Sequence, residues 1–156
     1  MNFTQLINEL SKYDKDRIVF VGLGNELRED DGAGLELVER LKSKKEFHKS
    51  HFIIAGRNPE NHLQAILNYN PRMVIFVDAA EWTGNPGEIK KFNEDEISHT
   101  DFRTHTFSIK MIQEFLLNQR QMDFMFLGIQ PLSTSFRQGL SDIIKNKIEA
   151  FFYNEV

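Results

Sequence analysis

The stretch that decides the fold is residues 18–34, Ile-Val-Phe-Val-Gly-Leu-Gly-Asn-Glu-Leu-Arg-Glu-Asp-Asp-Gly-Ala-Gly. It opens with an apolar, largely β-branched run, which predicts a buried parallel strand. Gly22 and Gly24 end that strand in a tight turn. Asp30 and Asp31 then stand at the start of a helical pattern, beyond the carboxyl end of the strand, where open α/β sheets bind ligands. The same acids could instead cap the helix and complement its dipole, so both interpretations stay open.

Composition predicts a single globular domain. The chain has 156 residues, 40% hydrophobic and 27% charged, which is typical of a fold with an adequate core. Its net charge of -4 disfavours nucleic acid or an anionic membrane as the main partner. The absence of cysteine excludes disulfides, thiolate metal sites and cysteine nucleophiles. No signal peptide or membrane-spanning run is visible, so we expect a cytoplasmic protein without membrane insertion.

Apolar spacing predicts the order β-α-β-α-β-β-α-β-α behind an amphipathic N-terminal helix, and hence three layers around a mostly parallel sheet. The predicted strands cover residues 18–21, 51–54, 73–77, 88–92 and 124–129. The predicted helices cover residues 3–13, the stretch from Asp31 to about Lys42, stretches after Pro59 and after Thr106, and residues 137–153. The charged run 42–49 is expected to be a solvated loop, and 94–98 a short helical turn.

The fourth strand is expected to lie at an edge of the sheet and to run antiparallel. Only about ten residues, rich in turn formers and without a helical pattern, separate it from the third strand, whereas a parallel crossover needs a dozen or more. Ile89 and Phe92 alternate with the polar pair Lys90 and Lys91, which is typical of a half-exposed strand.

Several familiar catalytic motifs are missing or incomplete. Gly22-Leu23-Gly24 resembles the start of a dinucleotide-binding loop, but Leu27 stands where that motif needs its third glycine. The sequence contains no P-loop, no G-x-S-x-G elbow and no H-E-x-x-H motif. We therefore interpret Ser133 and Ser135 as loop hydroxyls rather than nucleophiles.

Three polar residues follow neighbouring strands and could converge. Asp31 follows the first strand, Asp78 ends the third, and His105 precedes a later helix. If the first and third strands are neighbours, a topological switch point lies between them, with the two acids beside it. Two carboxylates and an imidazole make a plausible site for a divalent metal. Taken singly, each residue has an equally good structural explanation, as a loop-bonded acid or a helix-capping histidine.

Other histidines compete for the third position. His99 lies in the same loop as His105, and His62 opens the helix after Pro59. His48 and His51 belong to a charged stretch that is expected to be solvated, and we give them little weight.

These residues, in this order, resemble those of the hydrogenase maturation endopeptidases, and most closely the type that serves formate-hydrogenlyase-like (hydrogenase-3-like) nickel-iron hydrogenases. The resemblance covers roughly residues 17–150. The matching segments are Val21-Gly22, Gly24-Asn25, Asp30-Asp31-Gly32-Ala33-Gly34, Asn58-Pro59-Glu60-Asn61, Val77-Asp78-Ala79, Asn85-Pro86-Gly87-Glu88-Ile89, Thr104-His105 and Phe126-Leu127-Gly128-Ile129-Gln130-Pro131.

The resemblance implies a phosphorylase/hydrolase-like fold. Its five-stranded sheet has the order 2-1-3-5-4 with strand 4 antiparallel, inside a three-layer α/β/α domain that spans residues 1–156. Residues 1–16 have no obvious counterpart and form an extra N-terminal helix. The resemblance also implies that Asp31, Asp78 and His105 are the metal-binding and catalytic residues of a peptidase that family practice classes as aspartic-type.

The implied reaction is removal of a C-terminal extension from the precursor of a hydrogenase large subunit. Nickel already placed on that precursor serves as the recognition element, so the metal comes with the substrate; other divalent ions are expected to be able to occupy the site in crystals. Two alternatives stay open: a non-catalytic chaperone that recognises the same nickel site, and a nucleotide-binding α/β domain. A cleavage assay distinguishes the chaperone from the peptidase. Titration with dinucleotides tests for the nucleotide-binding domain.

The sequence departs from the family pattern after the second strand. The family often has Asp-Gly at this point, whereas this chain has Ala55-Gly56, so any role of that acid is lost or moved. Arg57 follows where small residues are common, which affects how a substrate fits against this loop.

Overall fold

The computed structural model describes residues 1–93, 95, 96 and 106–153. The strands are β1 (Ile18–Leu23), β2 (His51–Gly56), β3 (Met73–Ala79), β4 (Ile89–Asn93) and β5 (Asp123–Ile129). The helices are α1 (Phe3–Leu10), α2 (Ala33–Lys42), α3 (Leu63–Asn68), α4 (Thr106–Gln119) and α5 (Asp142–Tyr153). Within these residues no helix is long and apolar enough to span a membrane. Of the turn predicted at 94–98, residues 95 and 96 are helical and the rest lies outside the described residues.

The five strands form one sheet in the order β2-β1-β3-β5-β4. β1, β2, β3 and β5 are parallel, and β4 pairs antiparallel with β5 at the edge, where Ile89 lies opposite Ile129 and Asn93 opposite Met125. The predicted strand order and the antiparallel edge strand are therefore confirmed. Every residue of the central strand β3 is buried, as expected for a strand covered on both faces.

Helices cover both faces of the sheet and give three layers. On one face, Leu6 of α1, Leu37 of α2 and Ile144 of α5 belong to a single apolar cluster. On the other face, Ile66 of α3 and Ile112 of α4 belong to a second cluster. The connection that leaves β1 through α2 therefore lies on one face, and the connection that enters β3 through α3 lies on the other. This places a topological switch point between the neighbouring strands β1 and β3.

Several element boundaries differ from the prediction by a few residues, as where α1 ends at Leu10 rather than at residue 13, and two larger differences have a clear physical reason. The charged run 42–49 is not simply a solvated loop, because it contains a short 3-10 turn in which Phe47 is fully buried. The Phe47 ring packs edge-on against Phe20 of β1, with centroids 5.1 Å apart. The last helix begins at Asp142 rather than near 137, because the preceding residues are held in an extended loop by contacts described below.

The extra N-terminal helix covers the sheet. Leu6 and Leu10 are fully buried, and an Asn2–Gln5 capping box starts α1. The N-terminal ammonium group donates to the Ile89 carbonyl at 3.0 Å. The segment therefore contributes to the core through Leu6 and Leu10, packs beside α5 and is tied to the edge strand β4.

We expect Leu6→Ala to lower the free energy of unfolding by about 2–5 kcal/mol, since it leaves a cavity under α1. Thr4→Ala on the exposed side of the same helix should change it by less than about 0.5 kcal/mol. Urea denaturation measures both variants. Equal stability of the two would show that α1 is not part of the cooperative core.

Candidate active site

The site lies at the carboxyl ends of β1 and β3. Gly22 near the end of β1 pairs with Val77 of β3, so Asp78 directly follows the last paired residue of that ladder. After β1 the chain makes a turn and a 3-10 helix, Glu29–Gly32, before α2 begins at Ala33. This turn carries Asp31 back over the end of β3.

Two glycines permit this close approach. A Cβ atom on Gly34 would lie 2.6 Å from both the Cα of Asp78 and the carbonyl oxygen of Val77, so only glycine lets the first turn of α2 rest on β3. A Cβ atom on Gly24 would lie 2.2 Å from the Asp31 carbonyl oxygen and 3.7 Å from Asp78 Oδ1. Gly24 also has φ +140°, a conformation that side chains rarely adopt.

The structure brings Asp31 and Asp78 together, with different surroundings. Asp31 is half-buried, and its Oδ2 accepts a hydrogen bond from the backbone N–H of Asn25 at 3.1 Å. Asp78 is only 1% exposed. Burial raises the pKa of Asp78 well above its usual range, the negative charge of Asp31 raises it further, and the backbone N–H of Ala79 opposes the shift. A cation bound between the two carboxylates would offset both the cost of burying the Asp78 charge and its repulsion by Asp31. This pair of donors therefore fits a divalent metal.

The histidine of the predicted triad lies outside the described residues. α4 begins at Thr106, immediately after His105, and the competing His99 also falls outside. Among the residues that the structure does describe, no three His, Asp or Glu side chains group as a metal site. The ring nitrogens of His48 and His51 contact the carbonyls of Lys45 and Asp16. His48 is exposed, as expected, whereas His51 opens β2 and is half-buried, with its ring stacked on Tyr69. The convergence of His105 on the two acids stays a prediction.

Asp30, next to Asp31, is a structural residue. It is fully buried and accepts four hydrogen bonds, from the backbone N–H groups of Leu132, Ser133 and Ser141 and from the Ser141 hydroxyl. Of the two acids, one thus has the structural role that the sequence left open. Its partners are three backbone amides and one hydroxyl of residues 132–141 rather than the N-terminus of α2, so it anchors the chain between β5 and α5.

A cleft of about 200 Å³ opens beside Asp31. One wall is the turn with Arg28 and Asp31, and the other walls are Ala79 to Glu81 and Pro131 to Thr134. The buried side chain of Gln130 holds the segment after β3, since its Oε1 accepts from the N–H groups of Trp82 and Gly84, both at 3.0 Å. The sequence pattern predicts no role for Gln130, whose only signal is its place in the Gly-Ile-Gln-Pro segment after β5.

Comparison with known proteins assigns this α/β domain, with its paired acids at the switch point, to a family. The family model for hydrogenase maturation proteases matches residues 35–154, and the chain belongs to this family of peptidases. It is 31% identical to the hydrogenase 3 maturation protease of Escherichia coli over 139 residues, which is 86% of this chain and 85% of that protein.

Solved structures agree with this assignment. The crystal structure of a [NiFe] hydrogenase maturation protease from Thermococcus kodakarensis superposes with a TM-score of 0.80 at 29% identity, covering 93% of this chain and 92% of the other. The solution structure of the Escherichia coli endopeptidase HycI gives a TM-score of 0.70 at 28% identity, covering 85% of each chain.

We expect the neighbouring acids to respond differently to the same substitution. Asp30→Asn should lower the free energy of unfolding by roughly 2–3 kcal/mol, because an amide cannot accept all four hydrogen bonds of the buried carboxylate. Asp31→Asn should change it by less than about 1 kcal/mol. Chemical denaturation of the two variants provides the comparison. A larger loss for Asp31→Asn would reverse the assigned roles.

We also expect Asp78→Asn to raise the melting temperature of the metal-free protein at neutral pH. Because the folded-state pKa of Asp78 is raised, its contribution to stability is complete below the unfolded-state pKa and is lost as pH rises through the folded-state value. The neutral amide avoids this loss, so the advantage of the variant should grow from about pH 4 upward. Melting curves across pH test this. A variant less stable than the parent at every pH would contradict the buried-charge account.

Proposed function

We propose that this protein is the endopeptidase that removes the C-terminal extension of a nickel-iron hydrogenase large-subunit precursor after nickel insertion. The observation that carries the proposal is the pairing of Asp31 with the buried Asp78 at the switch point of the sheet. Membership of the maturation protease family, together with the cleft beside Asp31, supports the same reaction.

The nickel in this proposal is part of the substrate. The chain has no cysteine and offers two carboxylates, with His105 as the proposed third ligand, so it forms only half of a coordination shell. Thiolates of the precursor supply the other half. Joining the two halves adds metal–ligand energy to the protein interface, so binding depends on nickel loading.

The chain's own residues then position the scissile segment. Asp31, half-buried and held by the Asn25 N–H, faces the cleft, while Asp78 lies behind it at the end of β3. Once a cation neutralises the pair, both acids can stay ionised, and the metal can orient and polarise the scissile carbonyl or its attacking water. Either carboxylate could take the proton of that water, and the aspartic-type classification follows family practice.

A serine mechanism finds no support. The Ser133 hydroxyl donates to Ser135 Oγ at 3.3 Å. Ser133 is half-buried and Ser135 exposed, and in the described residues neither has a histidine among its hydrogen-bond partners. The backbone N–H of Ser133, rather than its side chain, makes the contact with Asp30.

Incubation with the precursor tests the proposal, with mass analysis of the precursor's C-terminus. We expect cleavage of the nickel-loaded precursor and none of the nickel-free form. Asp78→Asn keeps the side-chain shape but removes a charged ligand, and should lose most activity. Ser133→Ala should retain it and serves as the matched control.

Two results would overturn the mechanism. Efficient cleavage of a nickel-free precursor would remove the role of nickel, and full activity in Asp78→Asn would remove the role of the acid pair. Binding of the nickel-loaded precursor without cleavage would favour the non-catalytic chaperone.

A further inference from the structure

An exposed aromatic ring stands on the loop that borders the cleft. Phe136 is 80% exposed, and Leu132 on the same loop is 58% exposed. The guanidinium carbon of Arg28 lies 4.5 Å from the centroid of the Phe136 ring. We call Arg28, Leu132 and Phe136 the rim patch. Arg28 and Leu132 also line the cleft beside Asp31, so the patch continues directly into the candidate active site.

The loop that carries Leu132 and Phe136 is firmly anchored to the turn that carries Arg28. Besides the Asp30 hydrogen bonds, Glu29 N–H donates to the Arg137 carbonyl at 2.7 Å, and the Glu29 carboxylate pairs with Arg137 Nε at 3.1 Å. Arg28 Nε donates to the Thr134 carbonyl at 3.1 Å. An exposed ring on a fixed loop loses little conformational entropy on binding, which is the property of an interface anchor.

The charge of the patch indicates what it binds. The chain is acidic overall, with a net charge of -4, and Asp31 and Glu81 line the cleft, whereas Arg28 is the one cation among the described residues of that lining. Its Nε–H is used by Thr134, and within the described part of the chain its terminal nitrogens have no hydrogen-bond partner. The terminal nitrogens of this guanidinium can therefore donate hydrogen bonds to a carboxylate of a binding partner.

We propose that the rim patch is the docking point for the polypeptide substrate. The substrate places an apolar side chain on Phe136 and Leu132 and a neighbouring carboxylate against Arg28, which directs the adjoining segment into the cleft. This inference rests on the proposed function for the identity of the partner, but it concerns recognition rather than bond cleavage. Arg28 and Phe136 act as specificity-determining residues, separate from the acid pair.

The test compares Phe136→Ala and Arg28→Ala with a matched control. Tyr153 is also an exposed aromatic residue, at 63%, with Lys44 Nζ 5.0 Å from its ring centroid, but it lies at the opposite end of α5 from the loop. Binding of the nickel-loaded precursor is measured by surface plasmon resonance, and kcat and KM are measured where cleavage occurs. Melting temperatures confirm that each variant folds.

We expect Phe136→Ala and Arg28→Ala each to weaken binding at least about tenfold, as for truncated interface anchors. KM should rise by the same factor while kcat stays within about twofold of the parent value. Tyr153→Ala should match the parent. Added salt should weaken binding of the parent more than binding of Arg28→Ala, because the lost contact is ionic.

Unchanged binding in both variants, an equal loss in Tyr153→Ala, or a fall in kcat at constant KM would overturn the docking proposal. The two proposals also fail separately. If the parent binds the precursor without cleaving it and both variants lose binding, docking stands and the peptidase function falls. If the parent cleaves and both variants match it, the function stands and docking falls.

Discussion

The rest of the structure depends on the close packing of the first turn of α2 on the end of β3. Gly34 lets the helix backbone rest on Asp78 and Val77, and Gly24 lets the preceding turn pass beside both acids. This approach places Asp31, half-buried, over a carboxylate that is removed from water. A side chain at either glycine would push the two acids apart and so disrupt the site. The fold therefore positions the pair through close backbone contact, and the Asn25 N–H further holds the Asp31 carboxylate.

This arrangement is electrostatically unfavourable when no cation is present. Burial and a neighbouring charge both raise the pKa of Asp78, and a structure selected for stability alone would have an apolar or amide side chain there. The adjacent Asp30 shows the opposite solution, since its buried carboxylate is fully engaged by loop donors. Of two consecutive acids, one thus anchors the cleft wall, and the other is the one that we propose takes part in the reaction. The same turn presents Arg28, and the loop after β5 that Asp30 anchors presents Phe136, so the residues proposed for catalysis and recognition lie on two adjoining segments.

Sequence reasoning could predict the features that depend on local pattern and connection length. The edge position and direction of β4 followed from its short, helix-free link to β3, and the buried central strand from its apolar run. The roles of Asp30 and Gln130 could not be predicted, because their partners depend on tertiary packing. Those of Asp30 lie more than a hundred residues away. Phe47 was missed because its charged neighbours dominate the pattern around one buried ring.

The central claim is that the acid pair completes the coordination of nickel carried by the substrate. X-ray absorption at the nickel edge tests this most directly, on the nickel-loaded precursor alone and on its complex with the protein frozen before cleavage. The account predicts that complex formation adds oxygen or nitrogen ligands to the thiolate-bound nickel, and that the Asp31→Asn, Asp78→Asn double variant does not. An unchanged nickel spectrum in a complex that demonstrably forms and cleaves would contradict it.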